Sequence, residues 1–247
     1  MFNGLWSEFL ASNRGEAFDL VFTSHVLEHI VNPMNFIKEC AAVCNRYMFI
    51  EVPCFDINLM EEPYGMFTDE HVNIFTIQSL WNLMSRAGFA PVEFEMPICL
   101  NCSIPSAYPA ISTLWKKSSE SRPIYNSGDC LERYLSASEV LWHKISAKLD
   151  EIPDDEKLAV WGIGNSFSKI AGNTKLATKK VVRAYDSDKR KQGIKVLGTP
   201  ITPFNADDIL SGEVDAILIT TCMAQRTITK ILNQMNLPCK VYKLYDL

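Results

Sequence analysis

The sequence predicts an α/β fold, with parallel strands flanked by helices, in two successive units. Three observations predict it. Short apolar runs of strand length alternate with amphipathic stretches of helical period, the pattern of a parallel sheet with helices on its faces. The alternation breaks at residues 117–129, where Ser, Gly, Asn, Arg and Pro cluster as in a linker. It resumes at Leu158 and continues to the end. A length of 247 residues suits one large or two modest domains, at ~150 residues each.

Taken in order, residues 2–12 place apolar side chains at helical spacing. Residues 18–24 (FDLVFTS), after Gly15, read as a buried strand of a parallel sheet. Asn32 can cap and Pro33 can open a helix running to about Cys44. Residues 47–52 (YMFIEV) read as a second strand stopped by Pro53, and residues 54–73 as a long loop. Residues 76–87 form an amphipathic helix ended by Gly88. Residues 89–97 and 110–116 are two further strands. Beyond the linker, residues 130–149 form a helix with Leu131, Tyr134, Leu135, Leu141, Ile145 and Leu149 on one side. Then follow a strand at 158–161, a tight turn at 162–164, a helix at 167–173 and a strand at 180–185. A short helix or turn at 207–212, a strand at 216–220, a helix at 224–236 and a strand at 240–244 complete the chain. No repeat of fixed period is present.

Composition narrows the function. With 47% hydrophobic and 21% charged residues, the chain is neither a disordered tail, a collagen-like repeat nor a coiled coil. A net charge of −5 without a basic block argues against nucleic acid as a partner. The short runs Lys179–Lys180 and Lys189–Arg190–Lys191 read as solvated faces. No stretch approaches the ~18 apolar residues that span a bilayer, and residues 1–8 lack a signal-peptide pattern. A cytoplasmic protein without a membrane partner is expected. Cys40, Cys44, Cys54, Cys130, Cys222 and Cys239 sit in or beside apolar segments and read as small core residues. Cys99 and Cys102 form a lone C-x-x-C, read as incidental.

Ligands of open α/β sheets bind outside the carboxyl ends of the strands. Two such ends carry polar chemistry: Thr23 to Ile30 (TSHVLEHI), and the stretch after Pro53 that includes Asp69, Glu70 and His71. Three of the four histidines lie there, and His143, on the long helix, reads as a surface residue. His25, Glu28 and His29 spell H-x-x-E-H, a zinc-peptidase motif that needs one face of a long helix and a downstream carboxylate. Here the motif follows a strand, and Asn32–Pro33 leaves it about one turn. No metal site is expected.

FDLVFTSHVLEHIVNPMNFIKE resembles the fourth-strand region of class I S-adenosylmethionine (SAM) methyltransferases, and HVNIFTIQSLWNLMSRAGF resembles their helix before the last strands. The likeness covers residues 1–117. A narrower resemblance is to sugar C-methyltransferases, which act on nucleotide-linked keto sugars. It is carried by His29–Ile30–Val31 and by Asp69–Glu70–His71 before Ile74–Phe75. The resemblance implies a partial class I methyltransferase sheet with strands in the order 4-5-7-6, followed by a small Rossmann-like parallel domain. It implies His71 as general base, Glu70 orienting it, and His29 facing the same acceptor pocket, with Ser24 and His25 beside the cofactor, SAM. The family's His-Gly-Gly segment is replaced by Cys99–Leu100–Asn101–Cys102–Ser103.

In that family the Gly-rich turn and the acidic residue that bind SAM precede the fourth strand. Here about 17 residues precede it. SAM binding by this chain alone is therefore not expected. The strand at 18–24 should expose a bare edge, covered by the helix at 2–12, by a partner chain or second copy, or by nothing.

In the second half, Gly162, Ile163, Gly164, Asn165 and Ser166 lie between a strand and a helix, where glycine lets backbone approach a phosphate. Asp186, 22 residues after Gly164, ends the next strand, the usual place of a ribose-binding acid. A dinucleotide site and a purely structural turn both fit. VWGIGNSFSKIAG and AYDSDKRKQGIKVLGTPITPF resemble the C-terminal domain of the same sugar C-methyltransferases over residues 157–247. That resemblance implies that Gly162, Gly164, Asn165, Ser166 and Asp186 lie near the phosphates or ribose of a nucleotide-sugar. The expected domains are residues 1–117, a linker and connector helix at 118–156, and residues 157–247. The expected function is that of a SAM-dependent methyltransferase-like protein acting by C-methylation on a nucleotide-linked keto sugar or related small molecule, lacking the N-terminal SAM-binding motif and inactive alone unless a missing N-terminal segment or a partner completes it. Its alternatives are a non-catalytic nucleotide or nucleotide-sugar binding module and an NAD-linked enzyme using the turn at Gly162 and Gly164.

Overall fold

The structure, a computed structural model, describes residues 2–13, 15–56, 62–95, 109–120, 122 and 129–246. The C-x-x-C pair and Ser103 lie outside them. The described residues form two compact units. The first holds 2–13, 15–56, 69–95, 109–120, 122 and 129–131; the second holds 62–68 and 132–246.

In the first unit, helix α1 (Trp6–Ser12) precedes strand β1 (Phe18–Ser24), helix α2 (Pro33–Ala42), strand β2 (Cys44–Pro53), helix α3 (Ile77–Arg86), strand β3 (Phe89–Glu95) and strand β4 (Ala110–Lys117). The sheet order is β1-β2-β4-β3. β1 and β2 are parallel, and β4 runs antiparallel to both β2 and β3. This is the expected 4-5-7-6 arrangement of a class I methyltransferase sheet. α2 starts as its sequence dictates: the Asn32 side chain accepts from Asn35 N at 3.1 Å and Pro33 fills the first turn. It ends before Cys44, which opens β2 instead. Thr76 caps α3 by exchanging hydrogen bonds with Ser79. Ile37 and Cys40 of α2 and Leu80 and Met84 of α3 pack on Met48, Ile50, Val52, Ile111 and Trp115 of the sheet.

Burial of β1 differs from the expectation. The strand forms, but Phe18, Leu20 and Phe22 are exposed, Phe22 at 63%. Among the described residues, one edge of β1 has no strand partner. α1 reaches only its start, through the Phe9–Phe18 ring contact at 6.1 Å, while Trp6 turns toward Phe36 and Glu39.

The second unit has helix α4 (Cys130–Asp150, from Glu132), strand β5 (Leu158–Trp161), helix α5 (Asn165–Asn173), strands β6 (Val181–Tyr185), β7 (Lys195–Val196) and β8 (Thr199–Thr202), helix α6 (Asp207–Leu210), strand β9 (Ala216–Ile219), helix α7 (Gln225–Met235) and strand β10 (Lys240–Lys243). The sheet order is β10-β9-β5-β6-β8-β7, parallel except for the β7–β8 hairpin. That hairpin was absent from the sequence reading. Its two-residue turn, Leu197 and Gly198, has φ of +47° and +80°, the left-handed pair that hairpin turns require. Leucine is a poor signal for it.

Two expectations for this unit are corrected. Leu131 and Leu135 of α4 are exposed, whereas Tyr134, Ser138, Ile145 and Leu149 are buried. Lys179 is buried, not solvated. Its ammonium donates to Ile152 O at 2.5 Å and Asp154 Oδ1 at 2.6 Å, which replace the lost water. Residues 62–68 join this unit: Tyr64 N donates to Ser138 Oγ (3.1 Å), Met66 N to Tyr134 OH (2.8 Å) and Lys169 Nζ to Tyr64 O (2.7 Å). No helix among the described residues is long and apolar enough to cross a membrane.

Candidate functional site

At the carboxyl end of β1, three aligned residues form a polar row across the sheet. Ser24 lies opposite Glu51 of β2, and Glu51 lies opposite Ser112 of β4. Both hydroxyls donate to the Glu51 carboxylate at 2.6 Å. Burial pushes the Glu51 carboxyl up, but the bonds from Ser112 and Ser24, with His25 nearby, outweigh it and hold the carboxyl below its ordinary value.

His25 follows in a left-handed conformation, φ +51°. Its Nε2 lies 3.5 Å from Glu51 Oε1 and its Nδ1 3.3 Å from Glu28 Oε1. Ser24 and His25, expected beside a cofactor, thus engage two carboxylates. A 3₁₀ turn, Leu27–His29, then buries Glu28 and presents His29. The Glu28 side chain is 1% exposed, and neither oxygen has a hydrogen-bond partner.

The segment carrying His71 is tied to this turn by Asn73, whose backbone N–H donates to Glu28 O and whose side chain donates to Ile30 O. The His29 and His71 rings stand 4.9 Å apart, nearly edge to face. His29 Nδ1 is 2.8 Å from Glu70 O. A carbonyl only accepts, so Nδ1 carries the proton and Nε2 keeps its lone pair, 3.7 Å from Glu28 Oε1. Burial pulls the His71 imidazole below its ordinary value, against an upward pull from Glu28. Among the described residues, Glu28, His29 and His71 each place one ligating atom within 4.8 Å of the others.

Of the expected residues, the structure sets the His29 and His71 rings side by side, with Glu70 just before His71 in the chain. The Glu70 backbone carbonyl orients His29, while its side chain is exposed. Glu28 enters the sequence reading only through the H-x-x-E-H spelling that is set aside there, and Glu51, inside an apolar strand, carries no signal by itself. Beside this corner, a groove of about 910 Å³ runs along β1, lined by Phe2, Trp6, Phe9, Leu20, Phe22 and Ser24 among others. His143 is exposed, as expected. Cys40, Cys44, Cys54, Cys130 and Cys222 are buried thiols outside any disulfide among the described residues, and burial pushes the Cys40 and Cys54 thiols up to about 12.

The other candidates lie in the second unit. Gly162 has φ +100°, and a Cβ there would meet Thr221 Cγ2 at 2.5 Å, so only glycine fits. Gly164 caps α5, Asn165 opens it, and Ser166 donates to Glu62 Oε1 at 2.6 Å. Asp186 is fully engaged. Its Oδ2 accepts from Ile163 N (2.9 Å) and Lys191 Nζ (3.0 Å), and its Oδ1 from Asp188 N (2.9 Å). Lys191, expected on a solvated face, also donates to Ile163 O at 2.6 Å. Asp186 and Lys191 brace the glycine turn, and a ribose would have to displace them.

Comparison with known proteins agrees with this division. Residues 6–93 match the family described as a methyltransferase domain, and residues 154–241 match one described as C2185-like, N-terminal. No curated protein matches the chain. Among solved structures, the complex of a Haloferax volcanii methyltransferase activator with a methyltransferase is similar at 10% identity and a TM-score of 0.35, covering 48% of this chain and 60% of that one. The magnesium protoporphyrin IX methyltransferase of Synechocystis, with bound SAH, is similar at 16% identity and a TM-score of 0.34 (44% and 48% covered). A SAM-dependent methyltransferase from Thermotoga maritima is similar at 16% and 0.34 (43% and 59%). The chain therefore spans roughly half to three fifths of the length of these relatives. Residues 6–93 match a methyltransferase domain model, and the sheet of the first unit has the class I strand order.

Proposed function

We propose that this protein takes part in SAM-dependent methyl transfer, with the corner of Glu28, His29 and His71 facing the acceptor, and that the acceptor is a nucleotide-linked keto sugar methylated at carbon. The observation that carries this reading is the position of the corner: it sits at the carboxyl ends of β1 and β2, within or beside the matched stretch. SAM supplies an electrophilic methyl group. The groove along β1 has room for a molecule of that size, and Ser24 stands at its edge.

The residues have defined tasks in this reading. His71, whose imidazole burial keeps neutral at neutral pH, takes the proton from the carbon beside the ketone. The electron pair left on that carbon forms the new bond to the methyl carbon as the bond to sulfur breaks. The buried Glu28 carboxylate offsets the charge of the imidazolium so formed. His29, its tautomer fixed by Glu70 O, aims at the same point. The α5 N-terminus at Gly164, Asn165 and Ser166, in the second unit, is by itself the candidate for holding a nucleotide phosphate. The NAD-linked alternative loses ground because Asp186 is committed to the turn. A binding module without catalysis remains the competing reading.

The test is calorimetry of the purified protein against SAM, NAD and a nucleotide-linked keto sugar. Against the expectation from the sequence, the proposal takes the groove along β1 as the SAM site and expects binding of both SAM and the sugar nucleotide. Binding of the nucleotide alone, with none of SAM, favours the binding module.

A further inference from the structure

We infer that Glu28, His29 and His71 form a binding site for one divalent transition-metal ion, zinc in chemical preference. The inference goes beyond methyl transfer and does not need it: on the ion His71 is a ligand, whereas in the proposed reaction it takes a proton.

Three observations lead here. The first is the Glu28 carboxylate, which is 1% exposed with both oxygens lacking a hydrogen bond. A buried carboxylate in that state is costly unless something positive completes it. The second is the approach of one ligating atom each from Glu28, His29 and His71 to within 4.8 Å. A tetrahedral ion with bonds of about 2.0–2.2 Å would draw such atoms to about 3.3 Å, a small rotation of two partly exposed imidazoles. The third is the tautomer of His29. Its Nδ1–H donates to Glu70 O at 2.8 Å and leaves Nε2 for the ion, the outer hydrogen bond that metal-bound histidines usually make.

The donor set decides the class. Two imidazoles and one carboxylate suit zinc and its first-row neighbours better than magnesium or calcium, which prefer oxygen. Three protein ligands leave a fourth position open to water or a substrate oxygen, as in zinc sites that do chemistry. The H-x-x-E-H spelling misleads about the set. His25 leans on Glu51 as well as Glu28, and the third ligand is His71, delivered by Asn73 rather than by a helix.

The experiment uses the whole chain, stripped with a chelator and free of SAM. Zinc chloride is titrated calorimetrically into wild type, Glu28→Gln, His71→Ala and the control His143→Ala, with cobalt(II) spectra recorded in parallel. Changing an outer partner of a metal site costs roughly 10–100-fold in affinity, so loss of a ligand should cost at least about 100-fold. The expected result is one zinc per chain, that loss in Glu28→Gln and His71→Ala, none in His143→Ala, and a cobalt spectrum without a thiolate charge-transfer band. Because, among the described residues, the Glu28 carboxylate accepts no hydrogen bond without the ion, Glu28→Gln should unfold in urea no earlier than metal-free wild type. Absence of stoichiometric zinc, equal affinity in all four proteins, or a thiolate band from the cysteines would overturn the inference. None of these readouts depends on turnover.

Discussion

Glu51, His71 and Gly162 each convert a local geometry into a measurable quantity. Glu51 joins three strands through Ser24 and Ser112. Because its carboxyl is held below the ordinary range, its stabilisation is full above the unfolded value of about 4.3 and fades as pH falls through the lower folded value. Glu51→Gln should cost about 1–3 kcal/mol in urea unfolding at pH 7, and less in acid. His71 has the opposite chemistry. Its folded imidazole is harder to protonate, so it destabilises the fold as pH drops below about 6.5. Its NMR titration should show a midpoint below that value, and a midpoint above it would contradict the desolvated environment. Gly162→Ala adds a Cβ at 2.5 Å from Thr221 Cγ2 on a backbone at φ +100°. It should cost about 1–3 kcal/mol, read as an earlier urea midpoint.

At the scale of elements, most of the first sheet was legible because its signals are local. FDLVFTS and YMFIEV are apolar runs of strand length, and Asn32–Pro33 and Thr76 announce helix starts. The burial of β1 was not legible. An apolar run reads the same whether its neighbours cover it or not, and here one edge and the side chains of Leu20 and Phe22 stay uncovered. Of the amides from Leu20 to Thr23, the alternate ones that point away from β2 should exchange quickly in a monomer. Slow exchange of these amides, in protein shown to be monomeric, would mean that something covers this edge. The approach of His71 to His29 was legible only through resemblance. Its physical cause is Asn73, bonded to Glu28 O and Ile30 O, and an asparagine in a loop announces no partner. The buried Lys179 escaped for a related reason: a lysine run looks solvated unless its acceptors, Ile152 O and Asp154, are known.

At the scale of the whole molecule, the chain order and the compact units differ. Residues 62–68 leave the first unit to pack in the second, where Ser166, Ser138, Tyr134 and Lys169 receive them. A fragment of residues 132–247 should therefore melt below the same unit in the full chain, since these hydrogen bonds are worth about 0.5–1.5 kcal/mol each. The central claim is that the Glu28–His29–His71 corner serves methyl transfer. Its most direct test is to incubate the protein with methyl-labelled SAM and a nucleotide-linked keto sugar, and to follow the label by mass spectrometry. The account predicts one labelled methyl on a carbon of the sugar, with a rate that falls about 10²–10⁴-fold in His71→Ala. Protein that binds both compounds yet transfers no label, or a His71→Ala variant as fast as wild type, would contradict it.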